Sequence, residues 1–358
     1  MGNGAGPFRL GAFVIVVFSF FGVSCREAGP GEATTLARLA VSQAPLSENP
    51  FVVLVSEITA CVIESYQYRV HCIDRNDDVL VGIFGRQGDG PGEFRSPLYL
   101  IRGPKETAGV IDIGLGRMTI FEPTGRLVEN VRLPGSIFTP GAHFSSTLIG
   151  SDFLRGVSRH IEIDVASGEI VWERVYPTAL REESGCQLST IEGLMEGVAS
   201  PGGSLAFAGC QGHLIFFEDR DDESGTLVSA PTYTAELPNR RDTREYAEFR
   251  SSFGPGVEEY RRTPKQYSAH RWFDERGRLW VLTNRDRDEF SYLDIYRGPE
   301  YVGTVRVRDR AVGFDVLGST LAVLVDRSVG SDDPDGFPDR AIDWYDISRI
   351  DFGERGLH

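Results

Sequence analysis

Basic side chains are scarce in this sequence relative to acidic ones. Lysine and arginine total 37 residues against 52 aspartates and glutamates, which gives 358 residues a net charge of −15. A surface this acidic repels the phosphates of nucleic acids. We therefore predict that nucleic acid is not a partner.

Motifs for catalysis or cofactor binding are also missing. The six histidines are scattered, without HExxH or HxH spacing, and no GxSxG marks a nucleophilic serine. The acidic stretch SDDPDGFPD (331–339) would place Ile342 where a calcium loop of the EF-hand type needs glutamate. We therefore predict no cofactor, no metal site and no catalytic residue.

Apolar runs are short, and the longest lies near the N-terminus. LGAFVIVVFSFF (10–21) follows a single arginine. It is shorter than the roughly 20 residues that cross a bilayer, but it suits a signal peptide. The following GVSC (22–25) resembles a bacterial lipobox, although ordinary cleavage before Cys25 fits as well. We predict a signal peptide over residues 1–24 and a lipid on Cys25. The protein would then face the periplasm or the cell surface from a bacterial membrane, or be soluble in the periplasm without the lipid.

Cysteine is sparse, with five residues in the chain. Assigning Cys25 to the lipid leaves four, and export favours their pairing. A hairpin turning midway between Cys61 and Cys72 would place them opposite one another, within disulfide reach. Cys186 and Cys210 would form a second pair. The alternative is four buried free thiols.

A divergent repeat is the most informative pattern. Two apolar strands joined by a short turn recur around six anchors, which are Asp74, Glu122, Asp164, Glu218, Tyr296 and Asp346. Steps of about 40–50 residues with several short strands each are typical of propeller blades. We predict an all-β, six-bladed β-propeller over residues 49–352, preceded by a tether over 25–48. Either LARLAVS (36–42) or FVVLVS (51–56) would supply the strand that the last blade lacks.

Glycine is concentrated in GRQGDGPGEF (85–94), directly after an apolar strand. No helix and no GK[ST] follow, so this is not a phosphate-binding loop. Glycine permits positive φ and proline fixes φ, which favours a tight corner between blades. The predicted corner residues are Gly85, Gly88, Gly90, Pro91, Gly92, Glu93 and Phe94, with Phe94 packed between blades. The alternative is that Arg86, Asp89 or Glu93 contacts a ligand.

The stretch GRQGDGPGEFRSP (85–97) resembles the signature of a bacterial six-bladed propeller family of lipoproteins related to NHL-repeat proteins. Its members carry a strand followed by a G-x-G-x-G-P-G-E-F-like turn. Residues 109–134 are also similar to an NHL-like blade, with Arg117 at the place of a frequent arginine, and so are residues 274–283. The resemblance implies six blades and a helical excursion between the fourth and fifth.

The longest step in the repeat contains a charged and aromatic insertion at residues 236–270. Helical spacing places Tyr246, Phe249 and Phe253 on one face, and the GPG that follows ends the helix. Long excursions from rigid scaffolds often form lids or binding surfaces. These three residues and Tyr260 are therefore the predicted ligand or partner surface. The alternative is a helix merely docked on its own blade.

These features favour a binding or scaffold module, which we expect to act as a monomer. Its ligand would be a protein, peptide or glycan in the bacterial envelope, and its membrane contact would be the N-terminal lipid. The alternative from another class is a metal-dependent hydrolase, lactonase or lyase with its site at the central channel, as in some six-bladed propellers. A third hypothesis is a structural module of a larger envelope assembly.

Overall fold

A computed structural model of the chain describes residues 33–45, 51–76, 79–133, 138–143, 147–154, 157–175, 197–208, 211–249, 256–285, 289–327 and 339–350. Within these ranges the strands form six sheets with four antiparallel strands each, and one of these sheets has a fifth, parallel strand. We number these sheets as blades 1 to 6 in chain order. Among the described residues no helix is both long and apolar enough to cross a bilayer.

Two strands, β1 (Thr34–Thr35) and β2 (Arg38–Gln43), precede the first blade. The innermost strands of blades 1 to 6 are β3 (Val52–Ser56), β7 (Pro97–Arg102), β11 (Phe138–His143), β15 (Gly197–Ala199), β19 (Ser268–Phe273) and β23 (Arg310–Leu317). The second strands are β4 (Thr59–Glu64), β8 (Ala108–Asp112), β12 (Thr147–Leu154), β16 (Leu205–Ala208), β20 (Arg278–Thr283) and β24 (Thr320–Arg327). The third strands are β5 (Arg69–Asp74), β9 (Arg117–Phe121), β13 (Val157–Asp164), β17 (His213–Phe217), β21 (Phe290–Arg297) and β25 (Asp339–Asp346). The outermost strands are β6 (Val79–Phe84), β10 (Leu127–Arg132), β14 (Ile170–Val175), β18 (Thr226–Ser229), β22 (Glu300–Arg308) and, for blade 6, β2.

The six sheets form a closed ring. Each innermost strand contacts the innermost strands of both neighbouring blades, including β23 of blade 6 against β3 of blade 1. Buried apolar clusters fill all six interfaces between neighbouring blades. Each sheet therefore buries both of its faces, which a single sheet cannot do alone. The predicted six-bladed β-propeller is confirmed.

The N-terminal segment completes the last blade. Strand β2 pairs antiparallel with β25, and Arg38 forms an ion pair with the buried carboxylate of Asp343 at 2.8 Å. Of the two segments considered for this place, residues 36–42 contribute the outer strand, while residues 51–56 contain the inner strand of blade 1. Upstream, β1 pairs parallel with β22 as a fifth strand of blade 5.

Two helices, α1 (Arg240–Phe249) and α2 (Val257–Tyr260), lie between β18 and β19. The helical insertion between blades 4 and 5 is therefore confirmed. Helix α1 begins with a reciprocal cap, in which Asn239 Oδ1 accepts from the Asp242 N–H at 2.9 Å and Asp242 Oδ2 accepts from the Asn239 N–H at 3.0 Å. These bonds satisfy backbone donors that a helix start leaves without partners.

Candidate functional site

Aromatic side chains fill part of the space around the central axis of the propeller, which we call the hub. Phe51, which precedes β3, contacts His270 of β19 with ring centres 5.3 Å apart, although blade 6 lies between their sheets. The two rings therefore meet near the central axis. Tyr99 of blade 2 packs edge-on against Phe51, and Phe314 of blade 6 packs against His270. Four blades thus contribute to one aromatic cluster.

An ion pair crosses the hub as well. Arg102 of blade 2 donates to Asp315 of blade 6 at 2.6 Å, past the inner strand of blade 1. The second carboxylate oxygen of Asp315 accepts from the backbone N–H of Leu54 in that strand at 2.7 Å. This pair links three inner strands, so both carboxylate oxygens already have donors.

His270 is held neutral inside the aromatic cluster. Burial, with a smaller effect from the charge of Arg271, lowers the pKa of its imidazole to about 3. Its Nε2 accepts a hydrogen bond from the indole N–H of Trp272 at 2.6 Å. A neutral histidine engaged in this way fits a packing role better than proton transfer at neutral pH.

Clusters of metal-ligating side chains are missing from the described part of the chain: no three of its histidines, cysteines, aspartates or glutamates lie close enough to hold one ion. In the acidic turn after β17, a carboxylate accepts hydrogen bonds from backbone N–H groups of the same turn. Asp222 accepts from the N–H groups of Glu218 and Gly225, and these bonds outweigh its burial and lower its pKa to about 2. No observation favours the enzyme hypothesis.

The insertion is fixed to one face of the ring by a buried ion pair. The side chain of Arg310, at the start of β23, is fully buried and donates to Asp242 and Glu245 of α1 at 2.6 Å each. Arg241 adds a hydrogen bond to the carbonyl of Asp326 in blade 6 at 3.1 Å. The insertion therefore extends from the blade 4–5 junction to blade 6. We call the side on which the innermost strands begin the insertion face.

Charge stabilises this docking. Burial by itself would raise the pKa of Asp242, but the hydrogen bond and charge of Arg310, together with the Asn239 N–H and Lys265, lower it below the usual aspartate value. Lys265 lies 3.6 Å from the same carboxylate and is itself buried. Buried charges are tolerated only when paired in this way.

An open cavity of about 510 Å³ lies on the insertion, which we call the insertion cavity. Three of its lining residues are cationic, namely Arg240, Arg244 and Arg261. The apolar part of the wall comes from Pro238, Ala247 and Val257. Its size is typical of a site for a small ligand or a short chain segment.

Two of the aromatic residues predicted as a binding surface, Tyr246 and Tyr260, are not among the residues that line this cavity. Tyr246 is 4% exposed and stacks on Tyr260, with ring centres 3.9 Å apart and planes 6° from parallel. This pair packs α1 against α2 and leaves little ring surface for a ligand. The side chain of Phe249 and all of Phe253 lie outside the described residues.

The glycine-rich stretch forms a corner between blades 1 and 2. Phe94 is fully buried in the cluster that both blades share, next to Phe121. Gly85 has φ +94°, and a Cβ there would lie 2.3 Å from the Phe94 ring. Gly88 and Gly92 also adopt positive φ. Gly90 does not, but a Cβ there would lie 2.9 Å from the Glu93 carboxylate.

Two charged side chains close this corner from within. Glu93 accepts from the N–H of Gly90 and from Arg86, both at 2.8 Å. Arg117 donates to the carbonyls of Gly90 at 2.6 Å and Glu93 at 2.8 Å. Arg86 and Glu93 therefore bind one another. Pro91 lies in the turn between Gly90 and Glu93. Asp89 pairs with Arg95 at 2.6 Å.

Cys61 and Cys72 form a disulfide between β4 and β5, with their Cα atoms 4.0 Å apart and both side chains buried. They are directly opposed in the strand register, as the hairpin predicted. Cys25, Cys186 and Cys210 lie outside the described residues, so the lipid and the second pair stay predictions.

The cavity arginines were missed by sequence reasoning, which selected aromatic residues of the insertion. A signal for two of them exists in RRDTR (240–244), where one-turn spacing places Arg240 and Arg244 on the same helical face. Arg261 comes from α2, and only the fold of the insertion brings it to them.

Comparison with known proteins bears on the fold alone. The chain is similar to a crystal structure of a member of the DUF4221 family from Bacteroides vulgatus, with 10% identity and a TM-score of 0.49 over 87% of this chain and 97% of that one. No protein-family model and no curated protein matches the chain. The resemblance to NHL-repeat lipoproteins stays a prediction, and function must be inferred from this chain's own residues.

Proposed function

We propose that this protein is an exported, lipid-anchored binding module of the bacterial envelope. It acts as a monomer and binds a protein, peptide or glycan through its insertion face. The observation that carries the proposal is the insertion itself, which buried Arg310 holds in place while an open cavity faces solvent. Rigid scaffolds that position irregular segments commonly bind ligands through those segments.

Two further observations support parts of the proposal. A disulfide between Cys61 and Cys72 fits an oxidising compartment, because cytosolic thiols are normally kept reduced. Aromatic and ionic contacts across the hub leave its side chains engaged with one another, which favours the face of the ring over the hub as the binding surface.

Site-specific photo-cross-linking in cells tests the binding face. A photoreactive residue replaces Ala247 in the insertion cavity or, as the control, exposed Lys105 in the β7–β8 turn on the opposite face. We expect stable adducts from position 247 and none from position 105. Adducts from position 105 alone would contradict the proposed face, and adducts from neither would contradict a binding role.

Metabolic labelling with an alkyne fatty acid tests the anchor. The wild-type chain should incorporate the label and sediment with membranes. The Cys25→Ser variant should lose the label and leave the membrane fraction. Equal labelling of both chains would contradict lipidation at Cys25.

A further inference from the structure

The lining of the insertion cavity is opposite in charge to the chain as a whole. The whole chain carries −15, yet the described residues that line the cavity include three arginines and no acidic side chain. Helix α1 separates its charges by face. Asp242 and Glu245, three positions apart, point to buried Arg310, whereas Arg240 and Arg244, four apart, line the cavity.

Repulsion between neighbouring charges on α1 opposes this arrangement. Like charges one helical turn apart repel one another, so the Arg240–Arg244 spacing works against the helix. Arg310, which holds the insertion in place, is by contrast buried and bound to carboxylates. The cavity arginines are exposed, where they can reach a ligand.

The chemistry of the wall indicates the ligand. Guanidinium groups bind carboxylates through paired N–H donors, and several of them together favour a ligand with more than one carboxylate. Pro238, Ala247 and Val257 offer apolar contact. The described lining has no aromatic ring on which a sugar could stack, so a peptide fits it better than a glycan.

Resting on the proposed function, we infer that the insertion cavity binds an acidic peptide segment of a partner protein through Arg240, Arg244 and Arg261. A carboxylate of the chain itself engages Arg261, since Glu258 pairs with it at 2.6 Å. Both side chains are more than half exposed, and exposed pairs are weak. Glu258 therefore competes with the ligand for Arg261, and a ligand carboxylate can replace it.

Fluorescence anisotropy with a labelled hexaglutamate peptide tests this inference on the full chain at low salt. The double variant Arg240→Gln/Arg244→Gln should weaken binding about tenfold, because two exposed ion pairs are lost. Glu258→Gln should tighten binding about twofold, since it frees Arg261. The matched control Arg69→Gln/Arg349→Gln removes the same charge from exposed sites outside the cavity and should leave affinity within about twofold of wild type.

The matched control pair separates a specific site from general charge attraction, because general attraction would weaken binding equally wherever two positive charges are removed. The inference is overturned if the control pair weakens binding as much as the cavity pair, if hexaglutamine binds as tightly as hexaglutamate, or if an oligogalacturonate binds more tightly. Circular dichroism checks that each variant is folded. If cross-linking from position 247 to a partner persists in Arg240→Gln/Arg244→Gln, the proposed function stands and the acidic-peptide inference fails.

Discussion

At the scale of single residues, the corner at 85–94 depends on glycines, whose lack of a Cβ atom leaves room for neighbouring groups. Gly85 combines positive φ with a close approach to Phe94, whereas Gly116 has φ +58° and open space where a Cβ would lie. We expect Gly85→Ala to cost about 3 kcal/mol of unfolding free energy, from backbone strain plus steric overlap, and Gly116→Ala about 1 kcal/mol from strain alone. Urea unfolding of both variants measures the difference. Equal losses would show that Phe94 moves aside freely.

The sequence allowed this corner to be predicted because glycine permits positive φ and proline fixes φ, and both effects are local. It did not reveal the buried acids of the third strands. Asp294 and Asp343 occupy the same place in LDIYR (293–297) and IDWYD (342–346), and both are fully buried. Tyr267, which directly precedes β19, and Thr304 of β22 donate to Asp294 at 2.6 and 2.5 Å. Such partners come from tertiary packing, so a strand pattern alone cannot identify them.

At the scale of elements, the docking of α1 should depend on pH through Asp242. Its folded-state pKa lies below the unfolded value of about 3.9. Ionised Asp242 therefore stabilises the fold above that pH, and the stabilisation is lost as pH falls through the folded-state pKa. We expect Asp242→Asn to be less stable than wild type at pH 7 and the gap to narrow below about pH 4. Urea unfolding at pH 7, 4 and 3 measures it.

Asp343 provides a control for which the change of stability with pH has the opposite sign. Burial raises its pKa, although Arg38 and Arg327 partly offset this. Its contribution to stability is therefore complete below the unfolded pKa and decreases as pH rises through the folded one. Relative to Asp343→Asn, wild type should lose stability as pH rises from about 4. A gap for Asp242→Asn that stays constant from pH 7 to 3 would contradict the role of its ionisation.

The β4–β5 hairpin should lose stability on reduction. Removing a native disulfide typically costs about 2–4 kcal/mol, so Cys61→Ala/Cys72→Ala and reduced wild type should unfold at lower urea than oxidised wild type. Unfolding of the double variant with and without reductant also tests the second predicted pair. If Cys186 and Cys210 are joined, the double variant retains sensitivity to reductant. Unchanged stability on reduction of wild type would contradict a structural role for the bridge.

The sequence predicted the hairpin and the helical insertion from local signals, namely opposed cysteines and a change from strand to helix spacing. It could not show which way the insertion turns. Tyr246 and Tyr260 looked like a binding surface because helical spacing identifies an aromatic face but not its neighbour. The stack of these rings on one another leaves the arginine side of α1 for solvent.

At the scale of the whole molecule, the ring depends on a strand from the start of the chain. A truncated chain that begins at residue 33 retains β1 and β2, whereas one that begins at residue 46 loses both and opens blade 6. Each lost backbone hydrogen bond contributes roughly 0.5–1.5 kcal/mol. We expect the first truncation to unfold like the full chain and the second to unfold at much lower urea. Similar midpoints for both would show that the ring does not need this closure.

The six-bladed architecture was predictable because it follows from repetition. Six units of similar spacing, each apolar on both faces, leave few arrangements other than a ring. The contacts across the hub were not predictable. Phe51 and His270 are 219 positions apart by their numbers and meet only because the ring closes. The same holds for Arg102 and Asp315.

Strand β1 has a mechanical consequence. It runs parallel to β22, which ends beside the start of β23 on the insertion face, so β1 begins on the side that points away from the insertion face. A lipid tether attached at that end of β1 would turn the insertion face away from the bilayer. Tension between a bound partner and that tether would act along β1 and β2. Their hydrogen bonds would then be loaded in shear and yield together, instead of peeling apart one at a time.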